Sequence, residues 1–398
     1  MEALAINGGQ PVRKTKLYYG KQCINEADIT AVNEVLKSDY LTCGPKVSEL
    51  ENKLTGITGS KYAVAVSNGT AALHVAMMAI GIGEGDEVIT TPLTFAASAN
   101  CALYCKAKPV FADVDMETYN IDPKSIEAHI TPRTKAVVAV DFTGQSVMNR
   151  EIREICDRHN LYFIEDAAHS IGTLYDGKPV GSLADITTFS FHPVKTVTSG
   201  EGGAVLTNNE TLYKKAVLAH THGITHDETL FEDAPHEGPW YYEQVSLGYN
   251  YRITDFQSAL LLSQLNRLEE FKRRRRSIVE RYNKAFSDTP GIIVQKEIPE
   301  SDTCRHLYII RLDFSKLTCT RRQFFDAMSA ENVQCQVHYV PVYYFPYYQK
   351  MGYEKGLCPN AEKIYEGIMS IPLYPAMSDE DVDDVITAVK KLAEAYQR

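Results

Sequence analysis

The sequence is short of positive charge. Its 41 Lys and Arg stand against 51 Asp and Glu, a formal net charge of −10. Nucleic-acid and anionic-membrane partners both require a basic patch, so neither is expected. One basic run exists, Lys272 to Arg276; it follows a long amphipathic pattern and reads as a solvated helix face. Long apolar runs are missing too. No stretch approaches the roughly 18 consecutive apolar residues of a membrane span. The opening MEALAINGGQPVRK has no apolar core of the signal-peptide kind. Metal-type cysteine spacing is absent: Cys101 and Cys105 come nearest, but they sit four apart in an apolar helical pattern and read as core thiols, so no metal is expected. The nine cysteines are scattered, which suits a reducing, cytoplasmic setting rather than a disulfide scaffold. There is no internal repeat and no low-complexity tract.

What is present is an ordinary globular composition, 44% hydrophobic and 23% charged over 398 residues. That length allows two domains and needs no staples. Residues 1–22 read as an irregular arm. Asn25 is a candidate cap for a helix carrying Ile29, Val32, Val35 and Leu36, and a second helix carries Val47, Leu50 and Leu54. Strands and helices then alternate. Strands are expected at Tyr62–Val66, Glu87–Thr91, Pro109–Ala112, Ala136–Asp141, Leu161–Ile164, Ile186–Phe191 and Gly203–Leu206. The intervening helices read as Ala71–Ile80, Phe95–Tyr104, Lys124–His129 and Arg150–Asn160. Such alternation predicts an α/β fold, a mostly parallel sheet between helices, over residues 23–255. Ile224 to Tyr251, with the sole tryptophan Trp240, reads as a long ordered loop. A long helix begins at Thr254 with Phe256, Leu260, Leu261 and Leu265 on one face. Residues 256–398 mix strands (Leu307–Leu312, Val333–Val337) with helices (Arg321–Glu331, Asp379–Tyr396), which predicts a smaller α+β C-terminal domain.

The chemistry concentrates in Leu161 to Val205. An apolar strand ends on Glu165 and Asp166. After a second apolar run comes Lys195, then the glycine-rich SGEGG. An acid and a lysine following parallel strands meet at one rim of the sheet, where ligand sites of open α/β folds form. A lysine backed by a carboxylate suggests Schiff-base chemistry with pyridoxal phosphate. Lys195 must be neutral to attack a carbonyl, and its flanks, FSFHPV before it, are poor in charge. The alternative is a surface lysine after a strand. Asp166 would hold the proton of the pyridine nitrogen through a charge-assisted hydrogen bond; otherwise it is an ordinary strand-end cap. Gly69, Thr70 and Ala71 stand between a strand and a helix, where the Thr70 and Ala71 N–H groups could receive a phosphate. Ser190 could add a hydroxyl. Phe95 could stack on the ring, or belong to the core. His169 could reach the cofactor's phenolic oxygen, or be a core histidine.

Together the motifs SNGTAALH, TTPLTFAASAN, VVAVDFTGQ, FIEDAAHSIG, FSFHPVKTVTSGEGGAVLTN, LGYNYRITDFQSALLLSQL and QVHYVPVY resemble the DegT/DnrJ/EryC1/StrS sugar aminotransferases, a branch of the fold-type I pyridoxal-phosphate enzymes. The likeness covers nearly the whole chain, in order. It implies Lys195 as the lysine that carries the cofactor covalently, and Asp166 as the partner of its ring nitrogen. Phe95 becomes the stacking aromatic, and Gly69, Thr70, Ala71 and Ser190 the phosphate cradle. Asn250 would reach the phosphate bound by a neighbouring subunit, and Arg252 lies in the same crossing segment, which implies a homodimer with shared sites.

Within the family the chain looks most like the branch of pseudaminic acid synthesis, which moves an amino group, from L-glutamate in this reading, to C4 of UDP-2-acetamido-2,6-dideoxy-beta-L-arabino-hex-4-ulose. The matching positions imply sugar-nucleotide contacts from Tyr19, Asp39, Tyr40, Leu41, Thr42, Gln336, Val337, His338 and Tyr339, beside Gly69, Ser190, Asn250 and Arg252. Two departures stand out: His220 occupies a position where many relatives have arginine, and His169 one where many have glutamine. Other readings stay open. They are a dTDP- or GDP-sugar aminotransferase acting at C3 or C4, and a non-catalytic cofactor-binding regulator. A C3-dehydratase of the same fold would carry histidine in place of Lys195.

Overall fold

The computed structural model describes residues 3–231 and 238–398. The apolar runs form one seven-stranded sheet from β1 (Tyr62–Val66), β2 (Glu87–Thr90), β3 (Lys108–Phe111), β4 (Thr134–Val140), β5 (Tyr162–Asp166), β6 (Ile186–Ser190) and β7 (Gly203–Thr207). The spatial order is β1-β7-β6-β5-β4-β2-β3. Only β7 runs against its neighbours; every other pair is parallel. The carboxyl ends of β1 to β6 therefore share one rim. Period-two alternation divides the strands between two covered faces. Val64, Val66, Ala136 and Val138 pack into a cluster with Leu73, Val75 and Leu212, while Ala63 and Ala65 face Leu50 and Leu54, and Val137 and Ala139 face Ile152 and Phe163.

The covering helices are α1 (Glu26–Leu36), α2 (Pro45–Thr58), α3 (Gly69–Ala79), α4 (Ala97–Tyr104), α5 (Pro123–Ala128), α6 (Asn149–His159) and α7 (Glu210–His220). Asn25 caps α1 as the sequence predicts, accepting from the N–H groups of Ala27 and Asp28. The helix α7, capped by Asn209, was not expected from the sequence. The expected long helix from Thr254 is two helices, α8 (Asp255–Leu265) and α9 (Leu268–Phe286), broken at Asn266–Arg267. Its buried face is also turned: Leu261 and Leu265 are buried, but Phe256 is 37% exposed.

The basic run on α9 corrects the sequence reading. Lys272 and Arg275 are buried. The Lys272 Nζ donates to the Gly172 carbonyl at 2.8 Å and to Asp302 at 3.0 Å. Arg275 donates one guanidinium nitrogen to the carbonyls of Arg305, His306 and Leu373. Only Arg273, Arg274 and Arg276 keep substantial solvent contact, which is what the 3.6-residue period of a helix lying between two bodies requires.

The C-terminal body has a three-stranded antiparallel sheet, β8 (Ile292–Val294), β9 (Tyr308–Leu312) and β10 (Ile368–Ile371), in the order β8-β9-β10. Its helices are α10 (Arg321–Ala330), α11 (Pro346–Lys350), α12 (Pro359–Gly367) and α13 (Asp379–Ala395). The strand expected at Val333–Val337 reduces to isolated bridges, Val333 with Leu17 and Gln336 with Ser370. Leu268 and Phe271 pack with the first body, whereas Ile278, Tyr282 and Phe286 pack with the second; we place the division between the bodies within α9. Of the long loop, residues 232–237 lie outside the described residues. The rest includes a two-residue pairing of Ile224–Thr225 with Glu243–Gln244. Among the described residues no helix is long and apolar enough to cross a membrane.

The N-terminal arm docks on the C-terminal body. Leu4 and Leu17 enter its core. Glu331, fully buried, accepts from the N–H groups of Ala5 and Val12 at 3.0 and 2.8 Å and pairs with Lys391 at 2.9 Å. Removing one partner of such a buried pair strands the other. Glu331→Ala should lose about 3 kcal/mol in urea unfolding and expose the arm to proteases. Unchanged stability with a protected arm would contradict this role for Glu331.

Candidate active site

At the carboxyl rim of the sheet lies a cavity of about 930 Å³. The loops after β1, β2, β5 and β6 form its floor, and Tyr19, His338 and Tyr339 close it from the arm and the C-terminal body.

Asp166, the last residue of β5, is 4% exposed and points into the cavity. The Ser98 hydroxyl donates to its Oδ2 at 2.6 Å, and the Ala168 N–H to its Oδ1 at 3.2 Å. Burial pushes the carboxyl up; Ser98, Ala168 and the charge of Lys195 oppose that. Strand alternation turns the neighbouring Glu165 away, to Asn149 at 3.0 Å and Thr187 at 3.1 Å. Of the two adjacent acids only Asp166 serves the cavity. Lys195 lines the same wall. Burial pushes its amine down to about 8, against the opposing pull of Asp166. A lysine so placed is neutral for a useful fraction of the time near physiological pH.

Across the floor, α3 opens at Gly69. Asn68 caps it, accepting from the Ala71 N–H at 2.8 Å. This corrects the expectation for Ala71, whose N–H is already taken. The first N–H groups of a helix have no intrahelical acceptor, so those of Gly69 and Thr70 remain to receive an anion. A Cβ on Gly69 would stand 2.7 Å from Ser190 Cβ, and one on Gly203 would stand 2.4 Å from the Asn68 carbonyl. The chain approaches so closely here because both residues lack a side chain. The result is an anion cradle made of a helix N-terminus and the Ser190 side chain. Phe95, 62% exposed, presents its ring to the cavity.

His169 is buried on the opposite side, and burial with the Lys195 charge holds its imidazole well below the usual histidine range. Its Nε2 lies 3.3 Å from the Tyr339 hydroxyl. His338 bonds Ser370 Oγ through Nδ1 at 2.8 Å, and burial pushes it down to about 4. Both rings are therefore neutral at ordinary pH. The far wall is aromatic: His74, Tyr104, Tyr249 and Tyr251.

The cavity thus brings together Tyr19, Gly69, Thr70, Ala71, Phe95, Asp166, His169, Ser190, Lys195, His338 and Tyr339. It does not include Asn250 or Arg252, which pair with Thr221 and Val66 on the outer edge. Nor does it include Gln336, Val337, or the exposed segment Asp39 to Thr42, where Tyr40 is 57% exposed. That segment is fixed on α8: Thr42 bridges Thr254, and the Asp255 N–H donates to the Leu41 carbonyl. Sequence reasoning missed Ser98 and His74, though helical spacing carried the signal: Ser98 stands three residues after Phe95 and His74 four after Thr70. Nothing local marked Tyr249 and Tyr251 as cavity residues.

The buried acid, lowered lysine, anion cradle and exposed aromatic fit pyridoxal phosphate. Comparison with known proteins agrees. The profile of the DegT/DnrJ/EryC1/StrS aminotransferase family matches residues 22–390. The spore coat polysaccharide biosynthesis protein SpsC of Bacillus subtilis is 43% identical over 94% of this chain and 97% of its own. The UDP-4-amino-4,6-dideoxy-N-acetyl-beta-L-altrosamine transaminase of Campylobacter jejuni is 38% identical over 95% of this chain and 99% of its own. Among solved structures, Helicobacter pylori PseC, an aminotransferase of pseudaminic acid biosynthesis, superposes with a TM-score of 0.89 at 31% identity, covering 96% of this chain and 100% of that one. The PMP-form of the putative sugar aminotransferase Spr1654 from Streptococcus pneumoniae gives 0.88 at 30%, covering 95% and 99%. The chain belongs to the DegT/DnrJ/EryC1/StrS aminotransferase family and is a pyridoxal-phosphate-dependent sugar aminotransferase.

Proposed function

We propose that the protein moves the amino group of L-glutamate to C4 of a UDP-2-acetamido-2,6-dideoxy-4-ketohexose. The observation that carries the chemistry is Lys195, a lysine pushed down to about 8 in one cavity with the buried Asp166. When bound, pyridoxal phosphate supplies a carbonyl that condenses with amines and a ring that takes up an electron pair. Lys195 would hold the cofactor, and its lowered amine would be the group that takes the proton from the donor's Cα. Asp166, positioned by Ser98, would keep the proton on the ring nitrogen. Gly69, Thr70 and Ser190 would hold the phosphate, and Phe95 would offer its ring face to the cofactor.

The UDP-sugar branch is supported by the name of the Campylobacter relative and the PseC likeness. We assign the sugar to Tyr19, His338 and Tyr339 because they close the cavity from the arm and the C-terminal body.

Our reading also requires a second copy. A diphosphate, a cofactor phosphate and the glutamate carboxylates bring several negative charges. Yet among the described residues lining the cavity Lys195 is the one lysine, and there is no arginine. Asn250 and Arg252 of a neighbouring subunit would supply the missing contacts, and the exposed Trp240, Tyr242 and Leu247 give the crossing segment apolar surface to bury.

Two outcomes test this reading. Lys195→Ala should still bind the cofactor noncovalently but lose glutamate-dependent amination by about 10³-fold, followed as 2-oxoglutarate together with amino sugar for UDP-, dTDP- and GDP-4-ketosugars. Turnover within tenfold of the native protein removes Lys195 from the mechanism; preference for a dTDP or GDP sugar removes the UDP assignment alone. The lowered amine predicts a pH profile as well. Covalent uptake of pyridoxal phosphate by cofactor-free protein, read as visible absorbance, should rise to a midpoint of about 8 and then level off. An unshifted lysine, ordinarily about 10.4, would keep climbing. Because the Asp166 charge favours the protonated amine, Asp166→Asn should move that midpoint down; an upward shift would contradict the geometry.

A further inference from the structure

His306 lies behind the cavity wall, and no step above uses it. It sits on the segment leading into β9, 5% exposed, with its ring centroid 4.5 Å from that of His169. The two Nδ1 atoms, one on each ring, are both buried and without a hydrogen-bond partner among the described residues. Two unpaired ring nitrogens on touching imidazoles are costly unless one donates to the other.

The backbone of His306 is unusually constrained. Its N–H donates to the Thr143 carbonyl at 2.8 Å. Its own carbonyl accepts from the buried Arg275 at 3.1 Å. Gly144 lets the three segments converge: a Cβ there would stand 2.4 Å from the Cys304 carbonyl and 2.9 Å from both the His169 carbonyl and the His306 nitrogen. Among the described residues Arg275 has no carboxylate partner, and burial pushes it down to about 10. Holding this turn gives that buried cation a purpose.

Resting on the reading of His169 as a contact of the cofactor's phenolic oxygen, we propose that His306 is a positioning residue. Through one bridging water it donates Nδ1–H toward Nδ1 of His169, and so fixes the His169 tautomer whose Nε2–H faces the cavity. His169 can then give a hydrogen bond to a phenolic oxygen and cannot act as a competing base beside Lys195. The C-terminal body thereby sets the protonation of a residue on the sheet domain, the same logic by which an outer partner fixes the tautomer of a functional histidine.

A neutron diffraction map of the native holoprotein tests this directly. Deuterium is expected on Nδ1 of His306 and on Nε2 of His169, with Nδ1 of His169 bare. Deuterium on Nδ1 of His169 overturns the proposal. In parallel, His306→Phe keeps the ring packing and removes the donor. It should shift the visible band of the bound cofactor and lower kcat about tenfold. His306→Asn, whose amide N–H replaces Nδ1–H, should restore both. If His306→Phe leaves band and kcat unchanged, or Asn restores neither while folded, His306 merely packs. Should native protein form no visible band with pyridoxal phosphate, the Lys195 reading fails instead.

Discussion

A carboxylate buried in a low-dielectric interior is destabilising unless donors or a cation face it. Asp166 is such a group. Among the described residues one hydroxyl and one N–H donate to it, and it lines the cavity. The lowered Lys195 has the complementary difficulty, an amine that burial would rather leave neutral. Neither group is at rest in the protein alone. In the function proposed above, a ring nitrogen that carries a proton and a carbonyl that accepts the amine would relieve both, and the unfavourable burial would itself favour the cofactor. The surroundings keep this tension in one place. Asp141, also buried, is pushed well up by desolvation and by Glu165, and both of these acids are turned to donors inside the protein. Of these three acids only Asp166 lines the cavity.

The parallel sheet makes this arrangement possible. Because β1, β2, β5 and β6 run the same way, Gly69, Phe95, Asp166 and Ser190 emerge at one rim although more than a hundred residues separate the first from the last. The antiparallel β7 does a separate job. Its first residue, Gly203, lies against the turn before α3, which packs the Lys195 loop beneath the anion cradle.

The C-terminal body is more than a cover. The helix α9 crosses from one core to the other, and its basic residues fasten the crossing: Lys272 to Gly172 and Asp302, Arg275 to three carbonyls. Close to these bonds lie Thr143, Gly144 and His306, directly behind His169. The arm ends at Tyr19, whose carbonyl accepts from Leu373, so the arm's docking on Glu331 and the cavity's outer wall belong to one assembly. Residues that face the reacting atoms therefore depend on contacts made well outside the cavity.

Strand identity, chain order and the residues at strand ends were legible in the sequence because they are local. Apolar runs of period two define β1 to β7, and an acid or lysine at the end of such a run has few places to go. Asp166, Lys195, Gly69, Ser190 and Phe95 were singled out this way, all five line the cavity, and the ordered set of motifs carried the resemblance to the family. What tertiary structure decided was everything set by contacts between distant segments. The break at Asn266–Arg267 and the burial of Lys272 and Arg275 follow from α9 lying between two bodies, which no helical period reveals. The strand expected at Val333–Val337 pairs only at single residues, Val333 with Leu17 of the arm and Gln336 with Ser370, partners that lie far away in sequence. The meeting of His169 with His306 depends on a close approach at Gly144. The sequence alone determined which chemistry this chain can perform; the tertiary structure decided which side chains surround that chemistry, because burial and desolvation exist only once the distant segments have packed.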